Sequence, residues 1–352
     1  MTDKALLQQS TLFNISAYAK GKVAAKRKRK GLGELKPREN NPFKQLMVYS
    51  VQVCAAKALF APLDRLRFLS QVRDMPNIRT SGHNYGSSVS TLSKIVSEQG
   101  PLALWRGNNA NIYRHLTMIF LRVSIYDRVK QVYMPLDPAR YQPGFDYYAR
   151  VMAQSAMLIA VTTAVTYPLD LIHARMATDM TPRGQDRQYA TTFDCFNRTN
   201  IDEGFRAGLY KGWQISATSA ALRSAMTLPV IDYVRSGTSK LDQSNPLARN
   251  FIEKIGVSLL SSVTLSLLLY PFDTAKRCMQ LNGVRGHSKA YQGSFDVFRK
   301  LMKAGGATAL YRGCHLYVLR EFLTAFAQLS IYDGLQLGSV VIKDKVSKDD
   351  DQ

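Results

Sequence analysis

Three acidic residues, each followed three positions later by a basic one, recur at wide intervals: Asp64 with Arg67, Asp170 with His173, and Asp273 with Lys276. Each acid lies two residues past a proline (Pro62, Pro168, Pro271), at the end of a long apolar stretch. Charges in such a setting usually face a water-filled interior and pair with one another. Side chains at i and i+3 share one face of a helix. Three helices carrying such pairs can therefore exchange ion pairs with their neighbours and close one end of a central cavity. The chemistry is reversible closure, not covalent catalysis, and no enzymatic activity is expected.

The elements that must position these pairs follow from what surrounds them. The prolines are 106 and 103 residues apart. A Px[DE] pattern alone arises roughly twice by chance at ordinary composition, and Pro135-Leu-Asp137 is a stray example with no matching sequel. The true copies are each followed by an aromatic–basic–glycine step: Trp105-Arg106-Gly107, Tyr210-Lys211-Gly212 and Tyr311-Arg312-Gly313. Twenty residues beyond each glycine stands another acid, Asp127, Asp232 or Asp333. Between proline and glycine each copy holds a polar segment, beginning at Tyr85, Tyr189 and Tyr291. Such fixed-period self-similarity defines the architecture before any local reading does.

Each unit reads as a long apolar helix, a short surface helix and a second long helix. Six spans are predicted near 44–74, 109–132, 147–178, 213–236, 250–280 and 314–338, and about twenty residues suffice to cross a bilayer with some tilt. The expected fold is an all-α membrane protein: three pseudo-repeats (about 42–135, 145–237 and 248–340), with six transmembrane and three short helices around a cavity. A proline within a helix removes one hydrogen bond and kinks the axis, which would bring the lower halves of three helices together. The acids at the other end, Asp127 with Lys130, Asp232 with Arg235 and Asp333 near Gln336, form a second set. Two rings at opposite ends of one cavity make two gates. Exposed ion pairs contribute only ~0–1 kcal/mol each, so a ligand's differential affinity can open such a ring. That is alternating access.

The 352-residue chain carries a net charge of +21, which implies anionic partners. Nucleic acid is a poor fit, because the basic residues are spread over the three repeats and no nucleic-acid-binding motif occurs. Cys54, Cys195, Cys278 and Cys314 are too scattered for a disulfide framework or a zinc site, and no metal or cofactor is expected. Residues 1–41 form a basic polar arm containing KRKRK at 26–30, without the apolar core of a secretory signal. This arm is expected to meet any protein partners. Residues 341–352 are a charged tail.

With these motifs the chain resembles the mitochondrial carrier family, and within it the ADP/ATP carriers, over about residues 43–340. The likeness is carried by PLDRLRFLSQ (62–71), EQGPLALWRGNNANIYR (98–114), YPLDLIHARMATD (167–179) and YPFDTAKRCMQ (270–280). The resemblance implies the inner mitochondrial membrane, with the proline-linked charges forming a matrix gate and the second set a cytoplasmic gate. It places Gln71 and Gln280 as braces beneath ion pairs of the matrix gate. It assigns Lys57, Arg114 and Arg320 to a central nucleotide site, with Ser219-Ala220 at the equivalent position of the second repeat. It also implies cardiolipin held at the starts of the surface helices and at the glycine turns. The chemistry of the trio agrees independently: each cation lies deep in an apolar span, where an unpaired charge is costly and functional by default. The structural alternative pairs Arg320 with Glu321.

The chain also departs from the ADP/ATP carriers. Their RRRMMM signature is replaced by Lys276-Arg277-Cys278-Met279-Gln280-Leu281. His173 stands at one matrix-gate cation position and Gln336 at one cytoplasmic-gate position. Leu269 replaces a small polar residue, and Arg223 falls one residue earlier than the arginine of the fourth span. The GxxxG packing motif is absent from the first and third spans. Two functions are therefore expected: nucleotide exchange by alternating access, or an accessory subunit with the carrier fold in a large inner-membrane assembly such as a respiratory-chain complex.

Overall fold

The computed structural model describes residues 42–73, 75, 87–133, 145–238, 257–284 and 289–327. All elements among these residues are helical. The first repeat holds α1 (Pro42–Leu59), α2 (Ala61–Val72), α3 (Ser88–Gln99), a 3-10 turn (Pro101–Trp105) and α4 (Asn108–Tyr133). The second holds α5 (Phe145–Ala177), α6 (Thr192–Glu203), α7 (Phe205–Leu209) and α8 (Trp213–Thr238). The third holds α9 (Val257–Gln280), α10 (Ser294–Leu310) and α11 (314–327).

The three prolines act in two ways. Pro168 and Pro271 lie inside continuous helices, α5 and α9. At Pro62 the helix breaks: α1 ends, Phe60 leaves the helical region, and α2 departs at 58° to the segment Leu46–Leu59. The break falls in the one repeat where Ala61, not tyrosine, precedes the proline. In the other two the tyrosine hydroxyl donates to the carbonyl of the aromatic–basic–glycine turn, Tyr167 to Lys211 (2.6 Å) and Tyr270 to Arg312 (2.8 Å).

A proline also strips the carbonyl four residues back of its helical donor, and a buried carbonyl needs a replacement. The aromatic of the glycine turn supplies it. Trp105 Nε1 donates to the Ala58 carbonyl at 2.7 Å, four residues before Pro62. The Tyr210 hydroxyl donates to the Ala164 carbonyl at 3.2 Å, four residues before Pro168. The paired aromatics also stack, Tyr167 on Tyr210 and Tyr270 on Tyr311. In the first two repeats the aromatic step thus repairs the defect that the proline makes.

The glycines of those turns close the ring of repeats. Gly107, Gly212 and Gly313 have φ of 79°, 82° and 77°, a region L side chains avoid. A Cβ at each would strike the proline-bearing helix of the next repeat. For Gly107 it would lie 3.1 Å from the His173 carbonyl, for Gly212 2.9 Å from Met279 Cβ, and for Gly313 3.3 Å from the Arg67 carbonyl. Repeat one thus leans on two, two on three, and three on one. In between, α1, α4, α5, α8 and α9 pack in succession, while α2, α5 and α9 meet at their proline ends. Then α11 closes the circle, with Tyr317 bonded to Ser266 of α9 and Arg320 to Asp64 of α2.

The short helices are fixed by caps and by buried arginines. Ser87 and Thr191 accept from the backbone N–H groups of Ser90 and Asp194, the usual N-cap bond. Arg65 is fully buried and donates to the carbonyls of Ala103, Ala177 and Asp179 and to Gln99, which ties α2 to α3 and to the end of α5. Arg175 donates to Thr199, Glu203 and the Gln280 carbonyl, tying α5 to α6 and α9. Partial burial works against the Glu203 charge, yet hydrogen bonds from Arg175 and Lys211 hold its carboxyl below the usual carboxylate range.

One helix segment among the described residues, Ala149–Ala177, is long and apolar enough to cross a membrane by itself. The bent pair Leu46–Leu59 and Ala61–Val72 qualifies if counted together.

Candidate functional site

Asp170 is the centre of the charge network. Its carboxylate takes Lys276 Nζ at 2.9 Å and both Nη atoms of Arg277 at 3.2 Å, with Arg114 at 3.6 Å. Gln280 braces the group, donating to Asp170 at 2.9 Å while its own oxygen accepts from Arg277 at 2.7 Å. Lys276 and Gln280 are one helical turn apart on α9, so both reach the same carboxylate on α5. The Arg277 guanidinium also sits 4.2 Å over the Phe68 ring, a cation–π contact. Lys276, Asp170 and Gln280, all expected in the matrix gate, are brought together here. Arg277, the strongest of the added partners, was not singled out from the sequence, where Lys276 filled the motif position.

The second inter-helix pair joins Arg67 of α2 to Asp273 of α9 at 3.6 Å. Tyr317 and Tyr270 flank it, with the guanidinium 4.4 Å and 5.5 Å from their ring centres. Arg223 of α8 approaches Asp273 at 4.0 Å and donates to Ser266 at 3.1 Å. Gln71 is buried nearby, but its amide makes no hydrogen bond to this pair.

His173, expected as a cation of the matrix gate, pairs with neither Asp64 nor Asp170. His173 Nδ1 donates to the Gly107 carbonyl at 3.0 Å, and its ring meets the edge of Phe68 at 5.0 Å. Asp64 instead accepts from Arg320 of α11 at 2.7 Å, and Arg320 also holds Glu321. The reason is reach and charge. The close approach of Gly107 sets a carbonyl beside the short imidazole, while the long, permanently charged guanidinium extends across to the carboxylate. Arg320 therefore takes both the role expected of His173 and the alternative pairing with Glu321.

Above this network lies a cavity of about 190 Å³. Arg114 and Arg122 of α4, Arg223 of α8 and Lys276 of α9 contribute its cations, and Ser219 and Ala220 form part of the α8 wall. Of the expected trio, Arg114 lines the cavity. Lys57 and Arg320 do not, although all three cations lie within electrostatic reach of one another. Lys57 is half-buried and makes no ion pair among the described residues. Arg122 is a lining residue that the sequence reading missed; its signal was the spacing of eight from Arg114, which keeps both on one helical face.

At the far end, Asp127 is exposed and Lys130 half-buried on the last turns of α4. The side chains of Asp232 and Arg235, and Asp333 as a whole, lie outside the described residues, as do the arm 1–41 and the tail 341–352. The arrangement as a whole offers fixed cations to an anion in a cavity whose base is sealed by salt bridges. Four of its charges (Arg114, Lys276, Asp170, Asp273) belong to both the cavity wall and the seal.

A sequence profile described as "Mitochondrial carrier protein" matches residues 38–136, 146–241 and 248–339. The chain is 28% identical over 294 residues to ADP/ATP translocase 3 of Bos taurus, covering 83% of this chain and 96% of that protein. ADP/ATP translocase 3 of Homo sapiens is 27% identical with the same coverage. ADP/ATP translocase 4 of Bos taurus is 28% identical over 293 residues, covering 83% of this chain and 88% of its own length.

Proposed function

This chain belongs to the mitochondrial carrier family, and from that premise we propose that it exchanges nucleotides of the ADP/ATP type across the inner mitochondrial membrane by alternating access. Members of the family are transporters, not enzymes. The observation that carries the substrate class is the cation set around the cavity, Arg114, Arg122, Arg223 and Lys276, which suits the multiple charges of a nucleotide phosphate chain. At about 190 Å³ the cavity is smaller than the roughly 300–1,000 Å³ of ordinary small-molecule sites. A nucleotide therefore requires the surrounding helices to part, and the shared charges supply the coupling. A phosphate that draws Arg114 or Lys276 toward itself removes a partner from Asp170 and loosens the seal below.

In this reading α1 with α2, α4, α5, α8, α9 and α11 make six membrane spans, and α3, α6 and α10 lie on the matrix surface, with cardiolipin at their N-termini. Lys57 adds a third cation near Arg114 and Arg320. The domain runs from 42 to 340, and the arm 1–41 would meet any protein partners.

The test is uptake of labelled ADP by proteoliposomes preloaded with ATP, using wild type, Lys57→Ala and Arg114→Ala. Uptake that requires internal nucleotide and is lost in both variants is expected. Folded, inserted wild-type protein that takes up no nucleotide overturns the proposal. One observation favours a second reading, the accessory subunit of a larger assembly. Arg320 is bound to Asp64 and Glu321, so a cation assigned to substrate is committed to the seal.

A further inference from the structure

The cations around the cavity are not equivalent. Arg114 and Lys276 are held by Asp170, and Arg223 is shared between Asp273 and Ser266. Arg122 makes no hydrogen bond or ion pair among the described residues; the Tyr49 phenol and Arg114 are the groups within its electrostatic reach. It stands eight residues beyond Arg114 on α4, about 12 Å along the axis at 1.5 Å per residue, with Met118 between them in the same wall. Helical side chains tilt toward the helix N-terminus. Arg122 therefore leans down along the cavity wall, whereas Arg114, lower in the same wall, is engaged by Asp170. Ile159 and Thr163 of α5, also in the wall, bring no acid to this level.

We propose that Arg122 is a phosphate-binding residue of this carrier, among the described residues the one guanidinium in the cavity wall that is available to an organic polyphosphate while the seal is intact. This rests on the nucleotide-exchange reading and deepens it. An incoming polyphosphate gains charge-assisted bonds from Arg122 without displacing a carboxylate. To bind Arg114 or Lys276 it must compete with Asp170. Arg122 thus sets affinity for the anionic end of the substrate, and the lower cations link occupancy to opening. No proline or glycine motif marks the position; its spacing of eight from Arg114 is the sequence signal it carries.

The experiment is ligand-induced thermal stabilisation of the full-length chain in detergent, titrated with ATP, ADP and inorganic tripolyphosphate. The variants are Arg122→Gln, Arg122→Lys and Arg122→Met; the last keeps the apolar stem and serves if the glutamine variant does not fold. The expected result is a loss of at least tenfold in apparent affinity for ATP and for tripolyphosphate in the Gln and Met variants. That loss corresponds to the ~1.5–3 kcal/mol of a hydrogen bond to a charged group, and the lysine variant, which keeps the charge, should stay within about threefold of wild type. Nucleotide affinity equal in wild type and the charge-free variants overturns the proposal and leaves nucleotide exchange standing. Arg122-dependent binding of tripolyphosphate without any nucleotide binding upholds the residue's role and overturns the nucleotide reading. Wild type stabilised by none of the three overturns both.

Discussion

The seal at the base of the cavity makes its sharpest prediction at Asp64, where two cations compete on paper and one wins in three dimensions. Arg320 and Asp64 are 2.7 Å apart, with side chains 11% and 5% exposed. Breaking a buried pair by removing one partner costs about 3–5 kcal/mol. Here Glu321 remains on Arg320 when Asp64 is neutralised, so part of that cost is relieved. A double-mutant cycle of Asp64→Asn with Arg320→Gln should therefore give a coupling of about 2–3 kcal/mol, within the range seen for close charge pairs. The parallel cycle of Asp64→Asn with His173→Gln should give less than about 0.5 kcal/mol, as expected of residues that share no contact. In thermal unfolding of the detergent-solubilised protein, at about 2 °C per kcal/mol for a large domain, the first coupling appears as roughly 4–6 °C and the second as about 1 °C or less. A His173 coupling equal to or larger than that of Arg320 refutes the assignment and restores the symmetric ring.

Three further outcomes are expected. Gly212→Ala places a Cβ 2.9 Å from Met279 Cβ at φ 82°, whereas Gly184→Ala at φ 93° meets nothing within 4 Å. Backbone strain alone costs about 1–2 kcal/mol and overpacking about 1–3 more, so Gly212→Ala should melt several degrees below Gly184→Ala; equal melting points would remove the close approach from the argument. Trp105→Phe should destabilise by about 1–3 kcal/mol, because it leaves the Ala58 carbonyl without the donor that replaces the proline's missing N–H, and a melting point unchanged from wild type would deny that repair. Glu203 is held below the usual carboxylate range, so its contribution is present above the unfolded value of about 4.3 and is lost as pH falls through the lower folded value. Glu203→Gln should accordingly flatten the decline in melting temperature below about pH 4.5, and an unchanged acid limb would contradict the Arg175–Glu203–Lys211 cluster.

The repeat architecture was legible because its markers repair one another locally. In the first two repeats a proline creates an unpaired carbonyl four residues back and the aromatic of the glycine turn fills it, at a spacing the chain must keep. The members of Asp170–Lys276 and Arg67–Asp273 were legible as motif positions, though not their partners, because the ring of repeats brings all those positions to one level. The partner of His173 was not, since the Gly107 carbonyl reaches it only through the packing of repeat one on repeat two. Arg320 could not be assigned from position alone, because the 256 residues that separate it from Asp64 say nothing about which of two acids it meets. Arg277 and Arg122 sit beside or beyond motif residues, and only the helix faces reveal them.

The departures from threefold symmetry have a mechanical consequence. The glycine contacts recur in all three repeats and the tyrosine tethers in the second and third. The charges laid over them are not equivalent. Asp170 binds three cations and an amide, Asp273 binds two cations loosely, and Asp64 depends on an arginine from α11. A ring with unequal joints does not open evenly, since the pair with the longest contacts and fewest bonds yields first. That joint is Arg67–Asp273 at 3.6 Å, between α2 and α9. Asp273 is also part of the cavity wall, so an anion that draws Arg223 away from it acts on the joint least able to resist. Opening should therefore begin where the first and third repeats meet, with the Asp170 cluster holding α5 and α9 together longest.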